Sequence, residues 1–193
     1  MSVLSLLLYA FVTSFTPGPN NIMAMLFANK YGFKNTIRFC LGVGTGFFAI
    51  LLLSSYFNLL LKSFIPKIEF FMTILGAAYM LYLAIIIIRS KDSDNDMDSG
   101  KYNSFTAGML LQFINPKAVL YCLTVMSTFI IPYHTSNSSL LFFSVVLALI
   151  GFMGTFSWNL FGSMFKLFLS KYRSQFNIIM ALLLVYSALS ILF

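Results

Sequence analysis

Negative charge is nearly missing from this sequence. Five Asp and Glu stand among 193 residues, and charged residues of both signs make up 9% of the chain. A water-soluble domain carries about 25% charged residues, so there is too little charge here to cover a surface that faces water. A lipid solvent removes that requirement. Four of the five acids, Asp92, Asp94, Asp96 and Asp98, fall in one run, KDSDNDMDSG, and the fifth, Glu69, lies at the edge of an apolar stretch. No acid sits inside an apolar segment, which excludes catalysis by paired carboxylates.

Histidine is reduced to His134, and cysteine to Cys40 and Cys122, with no second Cys or His at metal-ligand spacing. A disulfide framework and a zinc site are both unsupported. The two cysteines read as small core hydrophobes. A calcium loop starting at Asp92 needs Gly at its sixth position and Glu at its twelfth, where the sequence has Met97 and Asn103. The acidic run therefore reads as a solvated linker. No phosphate-binding glycine loop is present. These absences point away from an enzyme and from any cofactor or metal.

Apolar residues are what the chain has in quantity: 60% hydrophobic, with 23 Phe and 10 Tyr, and a mean hydropathy of +0.91. The 12 Lys and Arg lie singly between apolar runs and form no basic stripe, so the net charge of +7 does not indicate nucleic acid. The first apolar stretch lacks a basic leader and a small-residue cleavage site, and a cleaved signal peptide is not expected.

A helix needs about 20 apolar residues to cross the hydrocarbon core. Six segments reach that length, an all-α polytopic fold: Val3–Ala28, Phe39–Leu61, Ile68–Ile88, Phe105–Ile131, Leu140–Phe165 and Phe176–Phe193. The connectors are short and polar: Lys30–Arg38, Lys62–Lys67, Arg89–Ser104, Pro132–Ser139 and Lys166–Gln175. The first, third and fifth hold nine Lys and Arg, the second and fourth only Lys62 and Lys67. The excess of Lys and Arg marks the cytoplasmic side, which puts both termini outside. A linker at about 91–104 separates a first repeat at about 1–90 from a second at about 105–193, together one transmembrane domain. The two halves then run in opposite directions, the plan of inverted-repeat transporters. FTPGPN in the first span answers FINPK in the fourth, and Gly44-Thr45-Gly46-Phe47 in the second answers Gly154-Thr155-Phe156 in the fifth.

Two segments interrupt their spans near the middle. Thr16-Pro17-Gly18-Pro19-Asn20-Asn21 has 13 residues of its span before it and seven after it, and its two prolines remove backbone donors. In hydrocarbon such a break persists only where it is buried in protein or lines a wet cavity. Pro19 suits the first position of a new half-helix, whose free N–H groups would hold an anion. The plainer reading is a proline kink that only serves packing. In Gln112-Phe113-Ile114-Asn115-Pro116-Lys117, Lys117 is the one charged residue deep inside a span. A central lysine costs about 2.5–3.5 kcal/mol by insertion scales, so it should face the interior with a task there, or else be satisfied by carbonyls freed at a break. Together the breaks and the amine would form a net-positive pocket for a carboxylate-bearing solute at the bilayer midplane. Asn159, Ser157, Trp158, Tyr79 and Tyr82 are further polar candidates for the pathway, with packing an equal alternative for each. Gly42 with Gly46, and Gly154 with Gly162, indicate close helix packing.

In order along the chain, FTPGPNNIMAM, KYGFKNTIR, LGVGTGFF, ILGAAYMLYLAIIIIR and FINPKAVLY resemble the lysine exporter (LysE/RhtB) family, from about Phe15 to Tyr121. The resemblance implies an exporter of amino acids or their derivatives in the cytoplasmic membrane, driven by the proton gradient and acting as a homodimer among membrane lipids. Many relatives carry an aspartate after Pro-Gly-Pro, where this chain has Asn20. Lys117 is then the only titratable group at mid-depth, to carry the coupled proton or only to hold the substrate carboxylate. The missing acid favours neutral amino acids. An exporter or channel for inorganic ions is the alternative.

Overall fold

The computed structural model describes residues 3–89 and 102–192. The acidic run and most of the linker expected at 91–104 lie outside the described residues. Every regular element among the described residues is helical: α1 (Val3–Phe15), α2 (Pro19–Tyr31), α3 (Phe33–Tyr56), α4 (Asn58–Arg89), α5 (Phe105–Ile114), α6 (Pro116–Thr124), a π-helical turn (Val125–Ile130), α7 (Asn137–Met164), α8 (Lys166–Lys171) and α9 (Arg173–Leu192).

Local chemistry sets most of these ends. α1 stops one residue before Thr16-Pro17, and α2 opens on Pro19, whose missing N–H is no loss at a first helical position. Gly32 separates α2 from α3 with φ 86, a left-handed conformation that favours glycine. Ser104 caps α5 by accepting a hydrogen bond from the Ala107 N–H at 3.2 Å. Asn115 caps α6, its Oδ1 accepting from the Lys117 N–H at 3.1 Å.

Two expected connectors are helical instead. Lys62–Lys67 lies within α4, and Lys166–Gln175 holds α8 and the start of α9. Charge interrupts an apolar run without interrupting helical hydrogen bonding, because lysine is a good helix former. α3 likewise begins at Phe33 rather than Phe39, since the stop signal is Gly32 and not the basic residues after it. By length and composition α3 and α7 each suffice to cross a membrane, and α5 with the helix Pro116–Ile130 forms a third candidate bent by 66°.

Glycines bring backbones together. A methyl group at Gly42 would strike the Phe105 carbonyl, and one at Gly108 the Phe39 carbonyl, so α3 and α5 run in close contact. Gly154 and Gly162 face the Ser14 and Met25 carbonyls in the same manner and seat α7 against α1 and α2. All four glycines expected at packing positions are used so, Gly46 against the Met109 carbonyl. α4 pairs with α9 through Ala77, Met80, Ala84, Ala181, Leu184 and Ala188. Buried apolar residues form two clusters. One takes its first-span members from α1 and the other from α2, so the first break is where the chain passes between them. Cys40 lies in one cluster and Cys122 in the other, both as free buried thiols. Large apolar side chains such as Leu4, Phe71, Phe142 and Leu167 stand on the outside, as a lipid solvent allows.

Candidate functional site

The two breaks differ in construction. At the first, three residues lie between α1 and α2, and Gly18 precedes α2 with no side-chain cap. Asn21 closes it. Its Nδ2 donates to the carbonyls of Ser14 and Thr16, each at 2.9 Å, and its Oδ1 accepts from the Thr155 hydroxyl at 3.0 Å. The Trp158 indole N–H donates to the Phe15 carbonyl at 3.0 Å. The carbonyls that end α1 are thus held from α2 and α7. At the second break Asn115 alone separates the half-helices and caps α6 itself.

Lys117 joins the breaks. Its Nζ donates to the Thr16 hydroxyl at 2.8 Å, the Thr16 carbonyl at 3.3 Å and the Pro17 carbonyl at 3.5 Å. Thr16 is 101 residues away in the chain. A Cβ at Gly18 would lie 3.3 Å from both Cδ and Nζ of Lys117, so the missing side chain leaves the path for the lysine. The Pro17 carbonyl also accepts from the Ser187 hydroxyl of α9 at 3.5 Å.

Beside this contact lies a cavity of about 60 Å³, lined by residues of both breaks and of α3 and α7. Gly18, Asn20, Asn21, Gln112, Asn115 and Lys117, from the set expected to bind substrate, line it. Pro17, Pro19, Pro116 and Asn159 do not line it. The prolines shape the backbone, and the Pro116 ring packs where a side chain at Gly76 would go. Asn159 is fully buried elsewhere, its Nδ2 donating to the Phe33 carbonyl at 3.4 Å. Tyr79 and Tyr82 are also off the cavity wall, and Ser157 bonds its own helix at the Met153 carbonyl. Thr13, Ser14, Tyr121 and Thr155 line the cavity without having been expected there. Thr155 carried a signal as part of the Gly-Thr-Phe echo, and Tyr121 as the last residue of FINPKAVLY.

Gln112 and Tyr121 on the cavity wall are deeply buried, at 1% and 3% exposed. Gln112 Nε2 has no hydrogen-bond partner among the described residues, and the Tyr121 hydroxyl has Ser14 as its neighbouring side-chain partner. A buried polar group left unpaired costs about 1–3 kcal/mol, a cost that a group bound beside Gln112 would relieve. Tyr121 stacks between Tyr9 (centroids 5.6 Å) and Phe47 (5.3 Å), so its hydroxyl is held in place.

Residues 11–193 match the LysE type translocator family. The chain belongs to that family. It is therefore a multi-pass membrane protein that moves a substrate rather than an enzyme, and the match extends through α7 and α9, past the motifs that carried the resemblance. Among its relatives are the cysteine/O-acetylserine efflux proteins of Escherichia coli (strain K12), Shigella flexneri and Shigella sonnei (strain Ss046). Each is 37% identical over 185 residues, covering 96% of this chain and 94% of the relative. No solved structure matches.

Proposed function

We propose that this protein exports small neutral amino acids or their derivatives across the cytoplasmic membrane, by alternating access of two inverted three-helix repeats around the joined breaks. The observation that carries this reading is the meeting of the breaks through Lys117, beside a cavity with a buried donor to spare. Six spans are counted with α1–α2 as the first and α5–α6 as the fourth. The pairings support a two-fold relation between halves: α3 (second span) lies on α5 (fourth), α7 (fifth) lies on α1 and α2 (first), and α4 (third) pairs with α9 (sixth). Exchanging the halves converts the first pairing into the second and returns the third to itself. Both termini lie outside, by the distribution of Lys and Arg. A homodimer in the lipid bilayer is the proposed working form.

The α2 N-terminus, Lys117, Gln112 and Tyr121 offer donors to a carboxylate, while carbonyls at the end of α1 offer acceptors to an amino group. Cysteine and O-acetylserine, named as cargo of the relatives, are small and carry no net charge, which agrees with a compact cavity lacking an acid. The proton gradient is the proposed driving force, with Lys117 as the charged group on which it acts. An inorganic cation would have to lie beside the Lys117 ammonium, which would repel it.

Counterflow of a panel of amino acids in proteoliposomes, with and without a pH gradient, tests the reading. Neutral amino acids should exchange and respond to the gradient. Lys117→Ala should lose about 10–100-fold of the rate, from one charged hydrogen-bonding group worth about 1.5–3 kcal/mol. A Lys117→Ala variant with normal exchange would remove the site, and a wild type that exchanges no amino acid would remove the function.

A further inference from the structure

The breaks meet by means of an ammonium group in an oxygen cradle. An ammonium has three donors, and Lys117 Nζ finds three acceptors: the Thr16 hydroxyl and the Thr16 and Pro17 carbonyls. These carbonyls lack an intrahelical partner because the helix stops, and besides the lysine they accept from Asn21 Nδ2 at Thr16 and from the Ser187 hydroxyl at Pro17. In a continuous helix Thr16 O and Pro17 O would accept from the N–H groups of Asn20 and Asn21, but the Pro-Gly-Pro turn ends α1 at Phe15. The end of α1 carries partial negative charge, which favours a cation there. Next to it α2 begins, with partial positive charge, Gly18 as an uncapped start and Asn20 in the cavity wall. A place for a cation and a place for an anion thus lie side by side, complementary to the two charged groups of an α-amino acid. The cationic place is filled by the chain's own lysine.

We infer that Lys117 is a tethered stand-in for the substrate's amino group. The incoming ammonium displaces Nζ from Thr16 and Pro17, and the released lysine turns onto the substrate's carboxylate. This rests on the amino-acid exporter reading. The geometry permits the exchange: the lysine stem is a flexible four-carbon chain, Gly18 sets no side chain against it, and the adjoining cavity is lined by Tyr121 and by Gln112, whose Nε2 is unpaired among the described residues. A solute with only an amine cannot engage the displaced lysine, and one with only a carboxylate cannot displace it.

The test uses purified full-length protein and methylammonium, an ammonium small enough for the cradle. Lys117→Met vacates the cradle while keeping an unbranched stem. Methylammonium should raise the thermal midpoint of Lys117→Met saturably, at a concentration at least tenfold below that needed for the wild type. Tetramethylammonium, which has no N–H donor, should do nothing to either. Adding Thr16→Val, which removes one oxygen, should weaken methylammonium at least threefold. Equal methylammonium responses in wild type and Lys117→Met overturn the inference. Should Lys117→Met elute as an aggregate on gel filtration, the wild type decides. Cysteine should bind at least tenfold tighter than cysteamine or 3-mercaptopropionate, and equal binding of 3-mercaptopropionate overturns the inference. Failure of the exporter reading shows separately, as wild-type proteoliposomes that exchange no amino acid.

Discussion

The break between α1 and α2, in the first expected span, and the break between α5 and α6, in the fourth, solve one problem in two ways. Both interrupt a helix with proline, and both must satisfy the backbone groups that the interruption frees. The fourth-span break does so locally: Asn115 caps α6 with its own side chain, and one residue suffices to turn the chain. The first-span break does so with borrowed groups. Its carbonyls take hydrogen bonds from Asn21, Trp158, Ser187 and Lys117, three of which come from other spans. A locally satisfied break depends little on its neighbours. A break satisfied by other helices is tied to their positions, so a displacement of any of those helices would be felt there.

Substitutions can break this contrast. The largest effect on stability is expected at Asn21. Asn21→Leu strands the Ser14 carbonyl and the Thr155 hydroxyl and removes one of two partners from the Thr16 carbonyl, for a loss of about 3 kcal/mol at about 1–3 kcal/mol per unsatisfied group. The thermal midpoint in detergent should fall clearly. If it holds steady while transport is lost, Asn21 serves the substrate and not the break. A smaller effect is expected at the second break. Asn115→Ala should cost about 1 kcal/mol as a lost helix cap, and Asn115→Ser should restore most of it, since a hydroxyl oxygen accepts the same N–H without burying a charge. A drop for Asn115→Ala as large as that for Asn21→Leu would show that the second break also leans on the rest of the bundle. Smallest in stability is Gly18→Ala, within about 0.5 kcal/mol. The backbone there has φ −164, which any residue adopts, and the added Cβ meets only the flexible end of Lys117. Transport should nonetheless slow several-fold as the lysine's path narrows. Wild-type turnover in Gly18→Ala would mean that the lysine does not move along that path.

Much of this was legible along the chain because its causes are local. Proline lacks an amide hydrogen wherever it occurs, so the ends of α1, α2, α5 and α6 followed from Pro17, Pro19 and Pro116. The glycines of α3 and α7 marked close packing because only their side is flat. Connectors were harder. Lys62–Lys67 interrupts the hydropathy but not the helix, and Lys166–Lys171 forms a short helix of its own between turns at Phe165 and Tyr172, so charge was a poor guide to where hydrogen bonding stops. The site was partly legible: the residues beside each proline reach the cavity, whereas Asn159, chosen for polarity in mid-span, faces another part of the bundle.

Sequence by itself determined the solvent, the break positions and the presence of one amine that lipid would not tolerate, since these follow from composition and from each residue's own covalent structure. Tertiary structure alone decided that the amine meets Thr16, that Asn21 spends its amide on the backbone, and that Tyr121 and Gln112 line one cavity. Those outcomes depend on which helix faces lie opposite each other, and helical periodicity assigns a residue to a face without saying what stands across from it.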